Sequence, residues 1–383
     1  MKRFITLIAA AALALTACSS GSTTDTAESA SSEPTTQATE SEMDATTPLK
    51  VGFVYVSPLK GSSWTLAWDN ARASLESELG AETATVEPVP ESAEAKGVID
   101  DLISKGNELI FATAFGYQPF VLEAATANPE VNFVVIGPWI QEQPYPANVS
   151  IATSDNWIVR YALGVLAAKS TKTGTLGFVA ANPISTVIAS INAYALGAQS
   201  VDKSIIVKAV FTGTWYDPPR STQAAEALAA AGADVIAQYE DSTGALLGAE
   251  KAGVWGIGSE ADTSAFAPKA YLSGSVNNWN IFALAAAQST ADGTWSSQNY
   301  VGTLQDGGTS MGPINAGASA EAKAAAEEAL AGLTSGAIVP FTGPIRSNDG
   351  KLVLPDGEKW ADSITVFENS NFLVEGVDGT IPQ

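Results

Sequence analysis

The chain has 383 residues, 46% of them apolar and 16% charged, which is a globular composition in a chain too long for one compact core, so two lobes are expected. Nineteen basic residues against 41 acidic ones leave a net charge of −22, which repels phosphate and argues against nucleic acid as a partner. Histidine is absent and Cys18 is the single cysteine, which excludes His-based acid–base catalysis, Ser-His-Asp and Cys-His nucleophiles, internal disulfides, and His-ligated or multi-cysteine metal sites.

Lys2 and Arg3 precede the apolar run Phe4–Leu15, and the small residues Thr16 and Ala17 follow, so residues 1–17 read as a secretory signal. The run is too short to span a bilayer, which takes ~20 residues as a helix. Leu15-Thr16-Ala17-Cys18 resembles the bacterial lipobox, which makes Cys18 the expected lipidation site and the first residue of the mature protein. Residues 19–47 carry fifteen Ser or Thr, six acids and no base. Such a segment buries too little apolar surface to offset its chain entropy, so 18–47 is expected to be a disordered tether with a mean reach of ~30 Å. The folded part would then sit outside the cytoplasm, held to the cell membrane by lipid alone. Without Lys2, Arg3 and the tether acids the net charge is still −18, which serves solubility.

From Lys50 onward, short apolar runs alternate with amphipathic or Ala-rich stretches. The expected order is strand Val51–Val56, helix Trp64–Leu79, strand Leu109–Ala112, helix Gln118–Thr126, strand Val131–Ile136 and helix Ile158–Lys169. It continues with strand Thr175–Ala180, helix Thr186–Ser200, strand Ile205–Phe211, helix Thr222–Ala231, strand Asp234–Ala237, helix Ala245–Lys251 and strand Val254–Ile257. The strands are continuous apolar runs, as in parallel sheets covered on both faces, so the fold class is α/β with two doubly wound lobes. Ligands of such sheets lie beyond the carboxyl ends of the strands. Several of those loops hold aromatics and acids: Tyr55 and Trp64, Phe115 and Tyr117, Trp139, Trp215 with Tyr216 and Asp217, Tyr239 with Glu240 and Asp241, and Glu260 with Asp262. Aromatic faces stack on flat heterocycles and carboxylates accept ring N–H groups, so together they suggest a slot for a heteroaromatic ligand.

One enzymatic pattern competes. Ser57-Pro58-Leu59-Lys60, Ser154-Asp155-Asn156 and Lys172-Thr173-Gly174 reproduce in order the S-x-x-K, S-D-N and K-T-G elements of serine acyl enzymes that act on penicillins. That chemistry needs the serine at the start of a helix, whereas Ser57 ends a strand and enters a loop with Pro58 and Gly61. A single helix also separates the other two elements, placing them at its opposite ends. No phosphate-binding G-x-x-x-x-G-K-[ST] or G-x-G-x-x-G is present, so no nucleotide cofactor is expected. Asp100-Asp101 reads as a solvated helix face, no metal is expected, and the sequon Asn148-Val149-Ser150 carries no meaning behind a bacterial lipoprotein signal.

The chain resembles the basic membrane protein family of bacterial lipoproteins, solute receptors of ABC importers that include purine nucleoside receptors. The segments that carry the likeness include Val51-Gly52-Phe53-Val54-Tyr55-Val56 with Trp64 and Trp68-Asp69, Ala114-Phe115-Gly116-Tyr117, and Lys172-Thr173-Gly174-Thr175-Leu176-Gly177-Phe178-Val179. Others are Ile191-Asn192-Ala193-Tyr194-Ala195-Leu196-Gly197-Ala198, Thr212-Gly213-Thr214-Trp215-Tyr216-Asp217-Pro218, Gly232-Ala233-Asp234-Val235-Ile236-Ala237-Gln238 and Phe341-Thr342-Gly343-Pro344-Ile345.

The resemblance implies a type I periplasmic-binding-protein fold, two lobes joined by three crossovers and closing on a ligand in a hinged cleft. With crossovers near Thr153, Ser275 and Ile338, the lobes would be 48–153 with 276–338, and 154–275 with 339–383. It implies a stacking role for Trp64, a polar contact from Asp69, and an opposing face from Trp215 or Tyr216. It also places Glu260 where nucleoside receptors hold ribose with an Asp, and Asn277 where they use a Lys. That exchange points to a free nucleobase or similar flat heterocycle in preference to a nucleoside. Tyr55, Phe115, Trp157, Asn182, Glu240 and Asp241 complete the candidate ligand contacts. The expected function is that of a lipid-anchored, monomeric, non-enzymatic solute receptor partnered by an ABC permease and ATPase. The alternatives are a sensory lipoprotein that signals by the same closure and a serine acyl enzyme at Ser57.

Overall fold

The structure, a computed structural model, describes residues 47–137 and 145–383; the expected signal, tether and Cys18, and also Trp139, lie outside those residues. Thr47–Gln383 form one compact unit. In chain order its first part holds β1 Lys50–Val54, α1 Ser63–Leu79, β2 Glu82–Val86, α2 Glu94–Ser104, β3 Leu109–Ala112, α3 Gln118–Ala127, β4 Asn132–Ile136 and β5 Val149–Ser154. The second part runs α4 Asn156–Ser170, β6 Thr175–Ala180, α5 Ser185–Val201, β7 Ile206–Phe211, α6 Pro218–Ala230, β8 Val235–Tyr239, α7 Gly244–Ala252, β9 Trp255–Gly258 and β10 Tyr271–Asn277. The chain then returns through α8 Asn280–Ala291 and β11 Asn299–Gly302. It finishes with β12 Thr309–Met311, α9 Ala320–Thr334, β13 Phe341–Thr342, β14 Ile345–Arg346, β15 Leu352–Leu354, β16 Lys359–Trp360, α10 Ser363–Asn369 and β17 Val377–Asp378.

Two separate sheets result. One has the order β11-β5-β4-β3-β1-β2 with every pairing parallel. The other has the order β12-β10-β9-β8-β6-β7-β17, parallel apart from the antiparallel β12 at its edge. The inner strands are buried along their length, β3 and β4 almost completely, so both faces lie under helices. That is the expected pair of doubly wound lobes.

The chain passes between the lobes after β5, after β10, and within 303–308. The third differs from the expected position near Ile338. β12 already pairs with β10, and α9 turns Ala322, Ala326, Ala329 and Leu333 into the second lobe, the last two against Ala162 and Val165 of α4, so 309–338 belong there. An alanine-rich helix has no side-chain size or period that tells which sheet it covers, and this accounts for the difference. The passages are tied together by backbone bonds, Asp155 N to Gly302 O at 2.8 Å and Asn278 N to Gly308 O at 2.9 Å.

The second lobe is built on a close helix pair. A Cβ at Gly164 of α4 would lie 2.1 Å from Tyr194 O, and one at Gly197 of α5 would lie 2.0 Å from Tyr161 O. Each glycine receives the other helix's backbone, so neither side can yield by turning a side chain. Gly197→Ala is therefore expected to lower stability by about 1–3 kcal/mol through overpacking. Gly97→Ala in α2, where an added Cβ meets nothing within 4 Å, is expected to be neutral or to stabilise by up to ~1 kcal/mol. Urea denaturation of both variants checks the contrast.

Candidate functional site

The carboxyl ends of both sheets face one cleft with about 970 Å³ of free space, its open mouth included. The first lobe contributes Trp64 from the start of α1, Thr113, Ala114 and Phe115 after β3, Ile136 and Gly137 after β4, and Ser154 at the end of β5. The second contributes Ile184–Thr186 at the start of α5, Trp215, Tyr239, Glu240, Asp241 and Glu260, and Trp279 closes the hinge side.

Trp64 is placed by the N-terminus of α1. Ser62 caps that helix, its hydroxyl accepting from Thr65 N at 3.0 Å, and extended backbone at Ser62 aims the first turn at the cleft. The indole Nε1 donates to Thr113 O at 2.7 Å. Behind it Trp68 and Trp279 stack with centroids 4.5 Å apart, and both meet the Trp64 ring edge-on, at 6.3 and 5.8 Å. A ring fixed by a hydrogen bond and two edge contacts is a preformed stacking platform. From the opposite lobe Trp215 is held by Asn182, whose amide oxygen accepts from its Nε1 and whose nitrogen donates to Gly213 O, both at 3.2 Å. Phe115 stands half-exposed at the mouth.

The polar side of the cleft is acidic. Glu91, Glu240, Asp241 and Glu260 line it, and no Lys or Arg does among the described residues. Burial pushes Glu240 and Asp241 up to about 8 and Glu260 up to about 7. Among the described residues Asp241 has one side-chain partner, Ser57 Oγ of the other lobe, which donates to it at 2.6 Å. Neither carboxyl oxygen of Glu240 has a hydrogen-bond partner among the described residues. Glu260 is caged: Oε1 accepts from Asn156 Nδ2 at 3.0 Å and Ser259 Oγ at 3.1 Å, and Oε2 accepts from Asn277 Nδ2.

The lobes meet along a seam beside the cleft. Ser63 N donates to Asp241 O at 2.7 Å, Thr243 N to Gly61 O at 3.0 Å, and Tyr216 Oη to Lys60 O at 2.9 Å, with Ser62 and Ser242 forming an antiparallel bridge. Backbone bonds of this kind hold a closed arrangement. Ser57 is part of the seam, α4 separates Ser154-Asp155-Asn156 from Lys172-Thr173-Gly174, and 15 helical residues span about 22 Å, so the three acyl-enzyme elements do not converge.

Of the twelve candidate ligand contacts, Trp64, Phe115, Trp215, Glu240, Asp241 and Glu260 line the cleft. Six stand elsewhere. Tyr55 is buried in the first lobe with its hydroxyl 3.3 Å from Asp69 Oδ1, and Asp69 is paired with Arg72 at 2.6 Å. Asp69 follows Trp64 by five residues, about 140° around the helix, so it faces away while Trp68 shares the Trp64 side. Trp157 packs on Phe341 with centroids 5.6 Å apart and donates to Ser363 Oγ at 2.8 Å. Tyr216 bridges the seam, Asn182 holds Trp215, and Asn277 lies behind Glu260. Sequence reasoning did not single out Trp279, Thr113 or Thr186, and took Ser154 only as part of the acyl-enzyme pattern. Trp279 follows the end of a sheet strand like the other cleft aromatics, and recognising β10 would have exposed it.

A family model for PnrA-like ABC transporter substrate-binding proteins, Bmp, matches residues 49–331. A purine-binding protein of Brucella abortus is 37% identical over 337 residues, covering 88% of this chain and 94% of that one. A Haloferax volcanii protein named for ABC transporter glucose binding is 30% identical over 342 residues, 87% of this chain and 81% of that one. Among solved structures, an ABC transporter solute-binding protein of Conexibacter woesei superposes with a TM-score of 0.64 at 21% identity, over 76% of this chain and 97% of that one, a likeness of fold.

Proposed function

The chain belongs to the Bmp family of PnrA-like ABC transporter substrate-binding proteins, and from that premise we propose that its cleft binds a purine base between Trp64 and Trp215 for import. Such receptors work outside the cytoplasm and hand a small ligand to a permease driven by an ATPase. One observation carries the reading: tryptophans from the two lobes line a cleft bordered by four carboxylates and no base among the described residues. Flat rings stack on the indoles, ring N–H groups find acceptors, and a phosphate is repelled. The Brucella relative named for purine binding supports the same ligand class.

The free base is favoured over the nucleoside. Asn277, at the position where nucleoside receptors use a Lys, is 4% exposed, and its amide is engaged by Glu260 and by Ser154 Oγ at 2.9 Å. It does not line the cleft, so it offers a ribose no contact there. Lipid at Cys18 and the tether 18–47 complete the proposal, holding the receptor beside its permease. No helix of the described residues is long and apolar enough to cross a membrane.

A thermal-shift panel of adenine, guanine and hypoxanthine, their nucleosides and AMP tests the ligand class. A ligand at 100 times its Kd stabilises by ~2.7 kcal/mol, a shift of several degrees. At least one base is expected to shift the midpoint, its nucleoside less, and AMP not at all. A larger shift by nucleosides overturns the free-base preference, and no shift by any purine overturns the ligand class.

A further inference from the structure

Glu260 is the one non-glycine residue with a positive φ, +69°, among the described residues, a left-handed backbone that side chains adopt at a cost when the surroundings require it. Its carboxylate is met only by donors. Asn277 is oriented by Ser154, whose hydroxyl donates to its amide oxygen, leaving Nδ2 for Glu260. Asn156 supplies a second N–H. Ser259 could donate or accept, and a further residue decides which. Arg160 Nη2 donates to Ser259 Oγ at 2.6 Å, so the serine proton is directed on to Glu260 Oε1.

Arg160 has no other evident purpose at that spot. It is fully buried in α4, makes no salt bridge among the described residues, and spends Nη1 on Gln238 O at 2.9 Å and Gly258 O at 3.4 Å. Its guanidinium lies 5.2 Å from the Tyr239 ring centroid and 6.0 Å from that of Phe178. An interior cation without an adjacent counter-ion is costly to fold, and an apolar side chain would serve packing better. The charge that answers it is Glu260, one serine away. The charged and titratable groups around Glu260 are Arg160 from α4, Tyr239 from the end of β8 and Asp241 from the loop after it.

We infer that Arg160, acting through Ser259, is a positioning residue that holds Glu260 as an ionised acceptor on the cleft wall, selecting ligands that present an N–H there and rejecting those that present a lone pair. A carboxylate has about four acceptor positions, and the protein's donors occupy three, two on Oε1 and one on Oε2. The fourth, on Oε2, is left for the ligand. The inference rests on the reading of this cleft as the ligand site, while its test does not depend on that ligand being a purine.

The test is the carboxyl-carbon NMR titration of Glu260 in the purified protein without ligand, assigned by loss of its signal in Glu260→Gln. Ser259→Ala is expected to raise the midpoint by about one pH unit, as loss of a hydrogen bond to the charged form requires, and Arg160→Met to raise it further. Arg160→Lys keeps the charge without the aimed N–H and should fall between wild type and Ser259→Ala. Midpoints unchanged in both Ser259→Ala and Arg160→Lys overturn the inference, even if Arg160→Met fails to fold. With adenine as probe, Ser259→Ala should lose about fivefold in affinity at pH 7 and regain it at pH 9, where Glu260 is ionised in either protein. A loss that persists unchanged at pH 9 marks Ser259 as structural and contradicts the inference. If adenine, guanine and hypoxanthine all fail to bind the unmodified protein, the purine reading falls and the titration of Glu260 still decides the relay.

Discussion

Alanine at position 64 is expected to weaken binding of the preferred purine about 5- to 150-fold, the ~1–3 kcal/mol that alanine substitution removes from a stacked base. The effect belongs to binding rather than folding. Trp64 is partly buried, and the Trp68–Trp279 stack behind it, 4.5 Å between centroids, does not need it. What is lost is a ring held ready by the Thr113 hydrogen bond and two edge contacts, so no ordering entropy is spent when ligand arrives. Trp64→Phe, which keeps an aromatic face and drops the N–H, should retain most of the affinity. Calorimetric titration of both variants checks this, and an alanine variant within twofold of wild type would show that the base does not stack on Trp64.

Ligand binding at pH 7 is expected to take up protons, and Asp241→Asn to lower that uptake. Asp241 is 6% exposed with Ser57 Oγ as its one side-chain partner among the described residues, across the seam, and burial raises it to about 8, well above the usual range of an aspartate. Parting the lobes returns the carboxyl to water and to its usual range near 4. The closed form therefore binds more protons than the open one between about pH 4 and pH 8. It follows that closure is favoured as pH falls through that window, by up to about tenfold per pH unit, and is weakened as pH rises through 8. Asn accepts the same serine hydrogen bond without titrating. Binding heats measured in buffers of different ionisation enthalpy give the proton count directly. Equal counts for wild type and Asp241→Asn would mean that Asp241 is not the group that couples closure to pH.

The parts of the fold that could be read from the sequence are those with apolar runs long enough to report burial on both faces. β1, β3, β4, β6, β7 and β8 all overlap runs such as Val51–Val56 and Thr175–Ala180. β2, Glu-Thr-Ala-Thr-Val, gives no such run because it is a sheet edge with Glu82 and Thr85 exposed and no residue fully buried. β10 is hidden for another reason: Ser273 and Ser275 are fully buried, and a strand that buries small hydroxyls has no hydropathy peak. Missing β10 also concealed Trp279.

At the site, the rule that ligands lie beyond strand ends located Trp64, Phe115, Trp215, Asp241 and Glu260, since chain order alone fixes those ends. It gave no information on where a side chain points. Tyr55, at such an end, turns inward under α1, and Asp69 lies on the far side of the helix that presents Trp64. The Arg160–Ser259–Glu260 relay spans α4 and the loop after β9, about a hundred residues apart in sequence, and only the sheet brings them together.

The most direct test of the account is a calorimetric titration of the purified protein with adenine, guanine and hypoxanthine, set beside glucose, the ligand named for the Haloferax relative. The account predicts that one of the bases saturates a single site, with the negative heat-capacity change of an aromatic ring leaving water, and that glucose gives no saturable heat. Saturable binding of glucose with no heat from any base would contradict it, and would make the facing tryptophans a sugar platform instead.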